Sequence, residues 1–209
     1  MHHTTIGKSQ AHMTPRLILD ALGSFDLDPC AADPRPWDCA TTNFARADNG
    51  LHRVWCGRVW LNPPFDRRVI GAWIDRLAEH GRGTALVHAR LDTQWFETVW
   101  ERATSMLFLA DRVKFCRSDG STQKKDSGAP VVLVAFGSSD AEVLSHAGLP
   151  GFLVTSWRKN RVARLDSQID QLSLLMMAVE PWEMVSRKLD RIASTSRTVD
   201  IATSLAKPL

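Results

Sequence analysis

The sequence lacks the features that mark membrane, secreted and disulfide-linked proteins. None of its apolar runs approaches the ~20 residues that a transmembrane helix needs. Its first eight residues lack the apolar core of a signal peptide. Its four cysteines show no Cys-x-x-Cys spacing, so we expect reduced core thiols and no metal. A zinc site that recruits His12 or His52 is the minor alternative. These absences predict a cytoplasmic protein without membrane association.

Positive charge is unevenly distributed along the chain. Residues 155–209 contain nine Lys or Arg and six Asp or Glu, whereas residues 1–154 contain 17 of each. The excess is concentrated in a cluster that includes Arg158, Lys159 and Arg161. Such a cluster fits contact with nucleic-acid phosphates, and a solvated surface loop is an equally weighted alternative.

Short apolar runs alternate with amphipathic segments over most of the chain. Strands are expected at 25–28, 58–61, 84–88, 105–109 and 131–136, and helices at 14–22, 68–79, 93–103 and 140–146. In the first helix, Thr14 is the expected cap and Pro15 the first helical residue. This alternation predicts an α/β fold with a mainly parallel sheet.

The pattern changes after Pro150. Apolar residues recur at helical spacing from Leu165 to Val179 and again from Val185 to Ile192. We therefore expect a catalytic domain over residues 1–154 and a basic, helical C-terminal extension over residues 155–209. The apolar residues at helical spacing favour a helical hairpin that packs on the domain or on the partner in a homodimer. A DNA-contacting extension is the alternative.

The segment Asn62-Pro63-Pro64-Phe65 directly follows an apolar run. Because proline fixes φ and has no amide donor, two prolines force the chain out of the sheet at its carboxyl end, where open α/β sheets bind ligands. The Asn62 side-chain oxygen and the Pro63 carbonyl can accept hydrogen bonds from an exocyclic adenine amine and stabilise charge that develops during its attack. Phe65 can stack on the base. A rigid surface turn is the alternative.

Two further segments suit a nucleoside-like methyl donor. Asp28 ends the first predicted strand and is followed by Pro29, Cys30 and Ala31, whose small side chains permit close approach to the backbone. Its carboxylate can bind ribose hydroxyls or an amine, or it can instead cap a local turn. Asp48 begins Asp-Asn-Gly-Leu, which is either part of the same pocket or an ordinary Asx turn.

These motifs, in this order, resemble those of the phage-type DNA N-6-adenine methyltransferases. The similarity covers about residues 12–137 and rests on five segments: Thr14-Pro15, Phe25 to Ala31, Asp48 to Leu51, Trp60 to Phe65 and Leu91 to Phe96. The resemblance implies a Rossmann-like, S-adenosylmethionine-dependent fold and a phage- or prophage-encoded enzyme in the bacterial cytoplasm.

The resemblance also implies roles for individual residues. The catalytic motif would be Asn62, Pro63, Pro64 and Phe65. The S-adenosylmethionine pocket would contain Thr14, Pro15, Asp28, Pro29, Cys30, Ala31 and Asp48. With the basic cluster included, the expected DNA contacts are Arg90, Arg112, Lys114, Arg158, Lys159 and Arg161. Arg90 can alternatively pair with Asp92, and Arg112 can be structural.

The sequence departs from the broader methyltransferase pattern in two respects. It lacks a glycine-rich Phe-x-Gly-x-Gly loop, and we expect Asp28-Pro29-Cys30-Ala31 to replace it. We also expect no separate target-recognition domain. Base specificity must then come from residues 110–130, residues 35–56 or the C-terminal extension. The expected reaction is methyl transfer from S-adenosylmethionine to the exocyclic amino nitrogen of adenine in DNA. The alternatives are transfer to a protein glutamine or an RNA amino group, and a non-catalytic DNA-binding protein of the same fold.

Overall fold

The computed structural model describes residues 12–157, which form a seven-stranded sheet and four α-helices. The strands are β1 (Leu27–Asp28), β2 (Thr42–Asn43), β3 (Val59–Leu61), β4 (Gly83–His88), β5 (Ser105–Leu109), β6 (Val131–Phe136) and β7 (Gly151–Val154). The helices are α1 (Arg16–Leu22), α2 (Ile70–His80), α3 (Gln94–Arg102) and α4 (Ser138–His146). None of these helices is long and apolar enough to cross a membrane.

The sheet is mixed, with the strand order β2-β1-β3-β4-β6-β5-β7. The pairs β1–β2, β1–β3 and β3–β4 are parallel, whereas β4–β6, β5–β6 and β5–β7 are antiparallel. The expected α/β class is confirmed, but the expectation of a mainly parallel sheet is corrected, because the pairings are evenly divided. No helix lies between β5 and β6, and a helical crossover is the usual connection between parallel strands.

Side chains on the two faces of the sheet enter two separate cores. Leu61, Ala85 and Val134 face α2 and α3, whereas Trp60, Leu86 and Leu133 face α1 and α4. Successive strand residues alternate between the faces, as the pleat requires. Both faces are covered by helices, so the central strands are apolar on both sides.

The carboxyl ends of three neighbouring parallel strands meet at one edge of this sheet. Asp28 ends β1, Asn62 follows β3, and His88 ends β4. Because β1, β3 and β4 are parallel neighbours, residues at their carboxyl ends lie close together although they are far apart in sequence. This edge contains the residues that the sequence singles out.

Most predicted elements are present, and three details differ. Thr14 does not cap α1, since Pro15 occupies the cap position and no side chain bonds the helix end. Strand β7 is missed by the sequence reading, because it is a short edge strand whose residues remain mostly exposed. The irregular stretch 30–56 contains β2 and two single 3₁₀ turns, Arg46–Asp48 and Gly50–His52.

Two predictions concern segments that the structure does not cover. The C-terminal extension over residues 155–209 lies almost entirely outside the described residues, and so does its proposed homodimer contact. Both stay predictions.

A buried ion pair between Arg58 and Asp140 connects distant parts of the fold. Arg58 Nε donates to Asp140 Oδ1 at 2.8 Å, and its Nη1 donates to the carbonyls of Leu22 and Ser24 at 2.7 and 3.0 Å. The Asp140 side chain is fully buried and that of Arg58 is 13% exposed. The pair therefore joins the end of α1, the start of β3 and the first turn of α4.

We predict that Asp140→Ala lowers the free energy of unfolding by about 3–5 kcal/mol, because it leaves the Arg58 guanidinium buried without its counter-charge. Urea denaturation measures the change. The exposed pair Arg16–Asp20 is the matched control, and Asp20→Ala should cost less than about 1 kcal/mol. Equal losses in the two variants would contradict a special role for the buried pair.

Candidate functional site

The side chain of Asn62 is held in one orientation by residues 12–14. Its amide nitrogen Nδ2 donates hydrogen bonds to the His12 carbonyl at 2.7 Å and to Thr14 Oγ1 at 3.3 Å. Met13 fixes this segment through two backbone hydrogen bonds with Cys116, at 3.0 and 2.8 Å. Because both side-chain contacts use the nitrogen, the oxygen Oδ1 remains available as an acceptor.

The carbonyl of Pro63, which lines the same cavity as Asn62, is a second candidate acceptor. Within residues 12–157, no group donates a hydrogen bond to either oxygen. Pro63 is buried, whereas Asn62 and Phe65 are half-buried and Pro64 is exposed. The segment after β3 thus presents two acceptors that receive no hydrogen bond from the part of the chain described, which is an arrangement suited to an amine with two hydrogens.

A cavity of about 620 Å³ lies at the carboxyl ends of β1, β3 and β4. Eight of the eleven residues expected in the catalytic motif and the cofactor pocket line it: Thr14, Asp28, Cys30, Ala31, Asn62, Pro63, Pro64 and Phe65. Tertiary folding therefore brings together three sequence segments that were singled out separately.

Asp28 supplies a buried carboxyl group to this cavity. Its Oδ1 accepts a hydrogen bond from the Cys30 backbone nitrogen at 3.0 Å, and its side chain also hydrogen-bonds the Cys39 thiol. Burial raises the pKa of Asp28 to about 7, although these hydrogen bonds oppose the shift. A cation placed beside Asp28 would lower that pKa and favour the charged carboxylate.

Two cysteines surround this carboxyl group. Burial, the main cause, and the nearby Asp28 charge raise the pKa of Cys39 to about 12 and that of Cys30 well above its ordinary value. The Cys30 thiol donates to the Asn62 carbonyl at 3.2 Å, so this residue connects the Asp28 turn with the segment after β3. All four cysteines are free, but the expectation of core thiols is corrected for Cys56, which is exposed.

Phe65 is stacked on His88 at the wall of the cavity. The ring centroids are 4.1 Å apart and the planes are inclined by 23°, and Phe115 lies 5.9 Å away on a tilted plane. Burial, with the nearby charges of Arg90, His12 and Arg112, lowers the pKa of His88. One face of Phe65 is therefore covered by the His88 imidazole in this structure.

Comparison with known protein families identifies the family of the chain. A model of the DNA N-6-adenine-methyltransferase (Dam) family matches residues 4–148, more than half of the chain. The chain belongs to this family. The resemblance expected from its motifs is thereby confirmed. No individual curated protein is similar enough to be matched with the chain.

Three residues expected in the cofactor pocket do not line the cavity that contains Asn62 and Asp28: Pro15, Pro29 and Asp48. Pro15 precedes α1. The Asp48 carboxylate accepts a hydrogen bond from the Ala45 backbone nitrogen at 2.8 Å and so closes a local turn. A Cβ at Gly50 would lie 1.9 Å from the Pro29 carbonyl oxygen, so glycine is needed for this turn to pack behind the Asp28 segment.

The expected DNA-contacting residues are distributed over different surfaces. Arg90 is exposed and lies two residues after the end of β4, and it forms no ion pair with Asp92. Arg112 and Lys114 line a separate groove together with Leu17. Arg158, Lys159 and Arg161 lie outside the described residues.

Sequence reasoning missed two groups that shape the site. The His12 carbonyl orients Asn62, and a backbone carbonyl has no sequence signal. The Cys39 thiol bonds Asp28, and its only signal was its place in the long irregular stretch 30–56, a type of segment that is often functional. Within residues 12–157, no cluster of side chains has the composition and spacing to hold a metal ion.

We predict that Asp28→Asn stabilises the protein without ligand at pH 8 and has little effect on it near pH 4. The folded-state pKa of Asp28 is raised from 3.8 to about 7, so the folded protein holds this proton more tightly than the unfolded chain does. Its stabilising contribution is complete below pH 3.8 and is lost as pH rises through about 7. Urea denaturation of both proteins across this range measures the difference, and a pH-independent difference would contradict the assignment.

Proposed function

We propose that the protein transfers a methyl group from S-adenosylmethionine to the exocyclic amino nitrogen of adenine in DNA. The observation that carries this proposal is the orientation of Asn62, whose nitrogen is held by His12 and Thr14 while its oxygen remains an acceptor. The same cavity contains the buried Asp28. Membership in the adenine methyltransferase family supports DNA as the substrate.

The residues around Asp28 fit S-adenosylmethionine chemically. This donor supplies an electrophilic methyl carbon on a sulfonium, and it also carries an ammonium group. Asp28, with its pKa raised to about 7 by burial, can become a carboxylate when a cation is bound beside it. Ala31 and Ala32 line the same cavity and leave room for a ligand close to the backbone.

Asn62 and Pro63 would act on the amine. An adenine amino nitrogen is a weak nucleophile because its lone pair is delocalised into the ring. Two oxygens that accept its hydrogens favour tetrahedral nitrogen and stabilise the positive charge that develops there. Both acceptors are fixed before substrate binds, one by His12 and Thr14 and the other by the rigid Pro63-Pro64 backbone.

Phe65 would provide the aromatic surface for the base. A base that enters the site has to be turned out of the duplex or taken from a single strand. Since His88 covers one face of Phe65, the base would stack on the opposite face or displace the imidazole. Alignment of the amine with the methyl donor would then supply much of the rate.

Incubation with tritiated S-adenosylmethionine and separate samples of duplex DNA, RNA and protein tests this proposal. We expect label in DNA, recovered as N-6-methyladenine after digestion. Label in RNA or in protein glutamine, with none in DNA, would refute the proposed substrate.

Asn62→Ala is the matched variant for that assay. We expect the rate of transfer to fall on the order of a hundredfold or more, because one of the two oriented acceptors is removed. Cofactor affinity measured by calorimetry should remain unchanged. A parallel loss of cofactor affinity would show that Asn62 binds the donor and does not act on the amine.

Thr14→Val separates orientation of Asn62 from cofactor binding. The substitution keeps the shape of this buried side chain and removes the hydroxyl that accepts from Asn62 Nδ2. We expect kcat to fall roughly fivefold, corresponding to about one hydrogen bond, with little change in the KM for S-adenosylmethionine. Thr14→Ser retains the hydroxyl and should retain kcat. A rise in that KM with unchanged kcat would indicate direct contact with the cofactor instead.

A further inference from the structure

A second cavity, of about 520 Å³, adjoins the one that contains Asn62. The two cavities share Phe65, Asp66 and His88 in their walls. Arg67 and Arg90 line only the second cavity, together with the half-buried Trp95. This cavity therefore combines positive charge with aromatic surface directly beside the proposed amine-binding group.

The one acidic side chain among the lining residues of this second cavity is already compensated. Arg68 donates hydrogen bonds from Nε and Nη2 to the Asp66 carboxylate, and the shortest of them is 2.6 Å. These hydrogen bonds from Arg68 lower the pKa of Asp66 to about 2. Arg67 and Arg90 are both exposed, and neither forms an ion pair with any residue in the range 12–157. Within the described range, neither of these two guanidinium groups at the cavity has an ion-pair partner.

The backbone that carries Arg90 is fixed by local hydrogen bonds. The Arg90 nitrogen donates to the His88 carbonyl at 2.8 Å. The Arg90 carbonyl accepts from the Thr93 nitrogen at 3.2 Å and from Thr93 Oγ1 at 2.7 Å. Arg67 lies between Phe65 and the start of α2, where the Asp66 carbonyl accepts from the nitrogens of Val69 and Ile70. Both arginines therefore extend from backbone that is held beside the shared wall.

We propose that Arg67 and Arg90 bind backbone phosphates of the DNA strand whose adenine is methylated. Arginine binds phosphate oxygens through its planar set of donors, and phosphate contacts position a protein on nucleic acid without reading its sequence. Phosphates held at the second cavity would place the attached nucleotide next to Phe65 and the two acceptors. This inference rests on the proposed function, and it adds Arg67, which no sequence motif singled out.

The test is to measure DNA binding by the full chain at several salt concentrations. The fluorescence anisotropy of a short labelled duplex reports the binding. We expect Arg67→Gln and Arg90→Gln each to weaken binding on the order of tenfold at moderate salt. Each should also reduce the slope of log affinity against log salt by about 0.9, the value for one phosphate contact on duplex DNA. Arg67→Lys and Arg90→Lys keep the positive charge and should therefore show the same salt slope as the unmodified protein.

Arg82→Gln is the matched control. Arg82 is also exposed and without an ion pair among residues 12–157, but it precedes β4 and so lies at the opposite end of that strand from His88. Its loss changes net charge equally and should leave the salt slope unchanged. If all three Gln variants reduce the slope alike, the effect is one of overall charge and the proposed contacts are wrong.

Steady-state kinetics provides a second readout. Arg67→Gln and Arg90→Gln should raise the KM for DNA and leave cofactor affinity unchanged, as expected for lost substrate contacts. If the unmodified protein methylates DNA while both variants retain its salt slope and KM, the phosphate contacts are refuted and the proposed function stands. If the unmodified protein neither binds nor methylates DNA, both proposals fail.

Discussion

The orientation of the Asn62 amide determines whether a hydrogen-bond acceptor or a donor is available at this edge of the sheet. Asn62 Nδ2 donates to His12 and Thr14, which precede it by 50 and 48 positions. These contacts turn the side-chain oxygen away from residues 12–14, and the two prolines that follow keep the backbone out of the sheet. Rotation of this amide would present a donor where the proposed reaction needs an acceptor, so that reaction would depend on residues 12–14 as much as on the motif.

Parallel pairing of β1, β3 and β4 brings the remaining groups to this edge. Cys30 connects two of the strand ends, because its backbone nitrogen bonds Asp28 and its thiol bonds the Asn62 carbonyl. Burial raises the pKa of Asp28 to about 7. Ionisation of this carboxyl group therefore costs free energy in the empty site, and a cationic ligand beside it would favour the charged form. Arg67 and Arg90, by contrast, are exposed and uncompensated among the described residues. The buried carboxyl group of Asp28 thus lines one cavity, and the two arginines line the neighbouring one.

Sequence periodicity predicted α2 and α3 well, because each has a strong apolar stripe that packs on the sheet. It missed β7, whose four residues remain largely exposed at the sheet edge and show no buried alternation. It also assigned Thr14 to a helix cap, the usual role of threonine before a helix, whereas the hydroxyl is used by Asn62. Local propensity could not reveal a partner that is distant in the chain.

The sequence by itself indicated the family, through the order of its motifs. It also predicted an amine as the substrate group, since amide, proline and aromatic residues directly after a buried strand suit an amine. Only the tertiary structure decided how these groups cooperate. It selected Asn62 Oδ1 as the available acceptor, buried Asp28 near two thiols, left the Asp48 carboxylate in a local turn, and brought Arg67 and Arg90 to the wall of one cavity. The reason is physical: a motif specifies which atoms are present, but hydrogen-bond partners and burial depend on segments that meet only after the chain has folded.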